Sequence, residues 1–115
     1  MQIRKGTIYW IENSSGHDTH PDRRWPGLVI QSDALNDSNL NTVNVLGITT
    51  ILKFGELPGN VVITRGEANM NEQCVVNVSR IKSVDKNSIK DEIGVLPKKR
   101  MNEIHDGLKL VMNMP

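Results

Sequence analysis

Apolar residues in the first two-thirds of the chain come in short bursts, separated by polar and turn-forming stretches. Thr7-Ile8-Tyr9-Trp10-Ile11 is β-branched and aromatic, the composition that suits a pleated surface. Gly27-Leu28-Val29-Ile30-Gln31 reads as a second strand, with Pro26 at the first position, where a proline is tolerated. Thr42 to Leu46 (continuing to Ile48-Thr49), Val61 to Thr64, Cys74 to Val78 and Ile81 to Val84 read as further strands. Pro58-Gly59 and the polar segment Gly66 to Gln73 punctuate them, and Ser32 to Asn41 is polar and turn-rich. Five or six short strands spaced by turns predict a small antiparallel barrel or sandwich.

The last third changes period. Met101, Ile104, Leu108 and Val111 recur at i, i+3, i+7 and i+10, the stripe of an amphipathic helix that packs on the sheet and closes one end of the barrel. Pro97 suits its first turn, and Gly107 weakens its interior by about 1 kcal/mol against Ala. Ile89 and Ile93, just before it, predict a short helical turn. Asn13 to Arg24 fits neither pattern: it has no apolar side chain except Pro21, so it reads as a long loop. Loops of that length in compact domains are often functional.

With 115 residues, 37% hydrophobic and 23% charged, the chain has the size and composition of one globular domain spanning 1–115. Fourteen Lys and Arg against thirteen Asp and Glu leave a net charge of +1, too little to draw the whole molecule to nucleic acid or membrane. Four aromatics (Tyr9, Trp10, Trp25, Phe54) are too few for modules that stack several bases on one surface. A single Cys74 excludes an intramolecular disulfide and a multi-cysteine zinc site. The longest apolar run, Ile8 to Ile11, falls far short of the roughly 20 residues that cross a bilayer. A cytoplasmic, soluble protein is the expectation.

Among candidate chemistries, metal binding is weakest. His17, Asp18, His20 and Asp22 cluster in the loop, but no distant further ligand can be named, so solvated loop residues are expected and no metal or cofactor is assigned. His105, between Ile104 and Asp106, reads as a surface histidine. Cys74 precedes Val75-Val76 and reads as a small buried hydrophobe rather than a nucleophile. Phosphate chemistry fits better, because the loop holds His17-Asp18 and ends in Arg23-Arg24. An RNA backbone is cut when one group takes the 2′-hydroxyl proton, another protonates the leaving oxygen and a cation stabilises the crowded phosphorane. Arg meets phosphate oxygens with a planar fork, and Thr49 or Thr50, at a strand end, adds a hydroxyl donor. Composition alone leaves a plain solvated loop as the alternative. Arg80 to Arg100 holds seven basic and three acidic residues, either a surface for a polyanion or acidic partner or an ordinary solvated face.

The ordered series Arg4-Lys5-Gly6-Thr7-Ile8-Tyr9-Trp10, Gly16-His17-Asp18, Pro26-Gly27-Leu28-Val29-Ile30-Gln31-Ser32-Asp33, Ile48-Thr49 and Arg80-Ile81-Lys82-Ser83-Val84-Asp85-Lys86, with the closing helix, resembles the MazF/PemK (Kid) family of toxin endoribonucleases. The resemblance implies an SH3-like barrel with a terminal helix, of the MazF/CcdB type, forming a homodimer that binds single-stranded RNA. It implies metal-independent cleavage to a 2′,3′-cyclic phosphate and a 5′-hydroxyl, and neutralisation by a cognate antitoxin with an acidic, disordered tail. Thr49 then matches a catalytic threonine, and His17-Asp18 match a loop His-Glu that positions substrate or assists proton transfer. The family pattern has an arginine directly before the proline, where this chain has Trp25. Either Arg24 or Arg23 then supplies the guanidinium, and Trp25 either stacks on a base or packs in the barrel mouth. Ser79 and Arg80 stand where the family often has a carboxylate and a glutamine. The alternative function is a non-catalytic binder on the same barrel: a degenerate toxin, or a gyrase poison like the CcdB relatives.

Overall fold

A computed structural model describes residues 2–12 and 23–115. Six strands form one antiparallel sheet: β1 (Thr7–Glu12), β2 (Arg24–Val29), β3 (Thr42–Thr49), β4 (Val61–Ile63), β5 (Cys74–Asp85) and β6 (Ile89–Val95), in the order β4-β5-β3-β2-β1-β6. A four-residue helix α1 (Asp33–Asn36) follows β2, and the long helix α2 (Lys98–Met112) ends the fold. The mainly β barrel-type architecture with a C-terminal helix agrees with the sequence pattern.

The differences have physical reasons. Cys74–Val78 and Ile81–Val84 are parts of the single strand β5, not two strands. Ile89–Val95 is edge strand β6 and not a helical turn; four of its seven residues are exposed polar or apolar groups flanking Ile93, so its alternation is blurred. Helix α1 sits inside the polar stretch Ser32 to Asn41, where the buried side chain of Asn36 donates to the carbonyl of Gln31 at 3.0 Å and accepts from Gln31 Nε2 at 3.0 Å. Arg24 already belongs to β2, so the polar loop ends one residue earlier than its composition suggested.

The two faces of the sheet bury different apolar sets, as period-2 alternation requires. Ile8, Leu28, Leu46, Val76 and Val78 face helix α2 and pack with its Met101 and Ile104. Tyr9, Ile11, Val29, Val43 and Val45 face the other way, with Ile89, and Trp25 and Val84 pack against them. The sheet curls until its edges approach. The turn Glu67–Asn69 after β4 lies on β6, where Asn69 Nδ2 donates to the carbonyl of Ile93 at 3.0 Å. A side chain at Gly94 would collide with the Ala68 backbone there.

Helix α2 is fixed at two places. Arg100 donates to Glu67 on that turn (Nη2 to Oε1, 2.9 Å) and to Glu103 one helical turn on (Nη1 to Oε2, 3.0 Å). Further along, Gly107 is buried against Gly59, itself at φ +84°, so closely that a Cβ at 107 would strike the Gly59 carbonyl oxygen. The expected stripe therefore holds at Met101 and Ile104, runs partly buried through Leu108, and ends before Val111, which is 41% exposed.

Two outcomes follow from these contacts. Helix propensity alone predicts that Gly107→Ala gains about 1 kcal/mol, whereas the close approach predicts a net loss of about 2 kcal/mol from overpacking; urea unfolding decides between them. The Arg100 guanidinium, followed by the hydroxyl and amide of Thr64, lowers the Glu67 carboxyl from 4.5 to about 2. The unfolded chain then binds more protons than the native one between those values, so this stabilisation is complete above about pH 4.5 and disappears as pH falls toward 2. Denaturation midpoints at pH 6 and pH 3 are expected to fall further for the native chain than for Glu67→Gln.

Candidate functional site

The β3–β5 ladder contains one irregularity, and the site is built on it. Leu46 pairs with Ile81, but its neighbour Gly47 pairs with Asn77, so Val78, Ser79 and Arg80 bulge out of the ladder. An odd number of extra residues reverses which face the following side chains take. Val75 and Asn77 lie opposite Thr49 and Gly47; beyond the bulge, Lys82 and Val84 lie opposite Val45 and Val43, on that same face. Arg80 joins them, since a Cβ placed on Gly47 would sit 3.7 Å from Arg80 Cβ and Cδ.

Side chains satisfy the backbone that the bulge frees. Asn60 Oδ1 accepts from the Val78 N–H at 2.9 Å while its Nδ2 donates to the Phe54 carbonyl at 2.9 Å. Asn77 Oδ1 accepts from the Ser79 N–H at 3.2 Å and from the Ser79 hydroxyl at 2.7 Å. Both asparagines thus fix the bulge, and Asn60 also ties it to the 3-10 turn Leu52–Glu56.

Between β2, β3, β5 and that turn opens a cleft of about 260 Å³, lined among others by Trp25, Thr49, Phe54, Asn77, Arg80 and Lys82. Its glycine, Gly47, is paired with Gly27 of β2, so the sheet is bare where the Arg80 stem crosses it. Continuing that register brings Trp25 across from Thr49. Lys82 Nζ stands 4.9 Å from the centre of the Trp25 ring, within cation–π range. The Thr49 hydroxyl accepts from the Ile51 N–H at 3.2 Å, which occupies an oxygen lone pair and leaves the hydroxyl hydrogen to donate. No carboxylate lines the cleft among the described residues; its side-chain charge is positive.

The sequence-predicted residues divide accordingly. Thr49 and Trp25 meet in the cleft. Trp25 both packs against the second core and forms a cleft wall, so the two readings of it are not exclusive. Arg24 takes the opposite face of β2 and stacks on Trp10, its guanidinium carbon 4.5 Å from the ring centre. Arg23 is exposed ahead of β2, Thr50 is exposed beyond β3, and neither lines the cleft. His17, Asp18, His20 and Asp22 lie outside the described residues. Arg80 and Lys82, read from sequence as part of a basic segment and of the ordered motif series but given no site role there, are the cations of the cleft among the described residues.

Elsewhere, Cys74 is buried and burial pushes its thiol up to about 11, as an inert packing residue requires. His105 is half-buried rather than a surface residue. Its Nε2 is buried without a hydrogen-bond partner among the described residues, and desolvation, followed by Lys5 and Lys109, lowers its pKa. Among the described residues no three His, Cys, Asp or Glu side chains gather as a metal site would need, and no helix is long and apolar enough to cross a membrane.

Comparison with known proteins agrees with the fold. The family described as "PemK-like, MazF-like toxin of type II toxin-antitoxin system" matches residues 4–112. Endoribonuclease MazF6 of Mycobacterium tuberculosis is 34% identical over 114 residues, 99% of this chain and 100% of that protein. Endoribonuclease MazF of Staphylococcus saprophyticus is 24% identical over 112 residues, 97% and 92% of the two chains. Among solved structures, a mycobacterial endoribonuclease in complex with its cognate antitoxin has a TM-score of 0.79 at 20% identity, covering 98% of this chain and 97% of that one. The Mycobacterium tuberculosis toxin MazF-mt6 gives 0.78 at 16% identity, covering 95% and 98%. With a family match along nearly its whole length and a full-length relative at 34% identity, the chain belongs to the PemK-like, MazF-like toxins of type II toxin–antitoxin systems.

Proposed function

We infer that this chain is a toxin endoribonuclease that cleaves single-stranded RNA and is neutralised by a cognate antitoxin. Full-length relatives bear the name endoribonuclease, and a structural neighbour was solved with its antitoxin. The observation that carries the reading is the cleft itself, where a threonine hydroxyl free to donate stands with two cations and two aromatic rings. Such a lining suits a ribose-phosphate with a neighbouring base: cations for the phosphate, a ring for stacking, and, among the described residues, no acid to repel the backbone.

The reaction is an internal transfer. The ribose 2′-oxygen loses its proton and attacks phosphorus, the bond from phosphorus to the 5′-oxygen breaks, and that oxygen takes up a proton. The products are a 2′,3′-cyclic phosphate and a 5′-hydroxyl, with no water consumed. Thr49 donates to a non-bridging phosphate oxygen as negative charge builds there. His17 and Asp18 are the sequence's candidates for positioning substrate or moving protons. Among the described residues the lining carries no carboxylate, which favours chemistry without a divalent cation, since such ions take oxygen ligands. The acting form is a homodimer in the cytoplasm, and the acidic tail of the antitoxin competes for the same positive surface.

Incubation with mixed single-stranded RNA in excess EDTA, followed by mapping of the ends, tests this. Cleavage to cyclic-phosphate and 5′-hydroxyl ends is expected, with Thr49→Ala reducing kcat about 100-fold, as loss of one preorganised donor does. Intact RNA at high enzyme concentration, with growth arrest retained in cells, supports the binding-only alternative instead.

A further inference from the structure

The basic residues of β5 and the segments after it are not equivalent. Arg100 is held by Glu67 and Glu103. Lys86 Nζ donates to the Ser38 carbonyl at 2.9 Å, and Lys90 stands 3.9 Å from Glu12. Lys82 is seated on Trp25. Among the described residues Arg80 makes no ion pair, and its stem lies on the bare backbone of Gly47 in the wall of the Thr49 cleft. The charge ahead of the second strand is directed elsewhere, because Arg24 stacks on Trp10 across the sheet.

We propose that Arg80 is the catalytic arginine of this chain: its guanidinium grips the reacting phosphate beside the Thr49 hydroxyl, while Lys82 and Trp25 seat the adjoining base. Three observations carry this. The bulge turns residue 80 to the face of Thr49, and without its odd count the side chain would point to the helix side. Asn60 and Asn77 hold the two bulge residues before Arg80, and ladder pairing resumes directly after it at Ile81, so the guanidinium stem starts from a fixed position. The glycine beneath that stem leaves the fork clear to meet two phosphate oxygens, which a single ammonium cannot reproduce. The assignment rests on the endoribonuclease reading, but phosphate holding can be measured separately from cleavage.

Two measurements on the full chain test it. In cleavage assays Arg80→Ala is expected to lower kcat about 100-fold with KM changed by less than about threefold, the signature of a contact strengthened in the transition state. Arg80→Met, which keeps an apolar stem over Gly47, is expected to do the same with native circular dichroism, and Arg80→Lys to recover only part. Lys82→Ala is expected to act chiefly on KM, and Arg23→Ala combined with Arg24→Ala to leave kcat within about threefold. In salt titrations with a non-cleavable 2′-O-methyl RNA oligonucleotide, Arg80→Met is expected to reduce the log–log slope by about 0.7, one single-strand phosphate contact. Near-native kcat in both folded Arg80 variants with an unchanged slope overturns the proposal, as does a kcat loss in the Arg23/Arg24 pair equal to that of Arg80→Ala. If the native chain cuts no RNA, the nuclease reading fails alone, and the salt slope still decides whether Arg80 holds a phosphate.

Discussion

The capture of the β5 bulge by two asparagine side chains is the constraint on which the cleft depends. Val78, Ser79 and Arg80 leave the ladder, and a buried amide left without a partner costs about 1–3 kcal/mol. Asn60 receives the Val78 N–H and Asn77 receives that of Ser79, so the irregularity persists as a defined shape. Its geometric effect exceeds its size. One strand presents Cys74, Val76 and Val78 to the helix-side core, and then, past the bulge, turns Lys82 and Val84 to the face that carries Thr49.

The remainder of the fold supports this arrangement through close backbone packing. Gly59 precedes Asn60, and it is the residue against which Gly107 of α2 is pressed. The helix therefore rests on the same turn that supplies the asparagine holding the bulge. At the opposite edge, Ala68 in the left-handed region at φ 51° and Gly94 meet so closely that only glycine fits on β6. Arg100 joins that edge to the helix through Glu67. These contacts use small residues and one ion-pair cluster, and they hold both edges of the curled sheet in place.

Much of the fold was legible because apolar bursts and turn residues report burial directly. β1 to β4 and α2 announce themselves in this way, and so does the buried Cys74. β6 did not, since Lys90, Asp91 and Glu92 are exposed on an edge strand and mask its period. The bulge was illegible for a related reason: Ser79-Arg80 interrupts the apolar run, and an interruption reads as a turn unless its partner strand is known. Thr49 and Trp25 were found because ordered motifs locate them. The positions of the arginines depended on parity. In an extended strand neighbours take opposite faces, which sets Arg24 against Trp25, whereas the parity of Arg80 depends on three residues whose pairing no local pattern reveals. The role of Gly107 was likewise hidden, because propensity describes an isolated helix and not its approach to Gly59.

Trp25 pairs with Ile11 in the β1–β2 ladder, helps fill the second core beside Val84, and walls the cleft under Lys82. One ring thus answers to two selective demands. A descendant sequence that exchanges it for a charged or small side chain must refill the interior in the same step, or it reaches the new specificity through a less stable ancestor. Drift at position 25 is therefore epistatic with Ile11, Val84 and Lys82, and lineages of this toxin are expected to diversify in correlated sets rather than residue by residue.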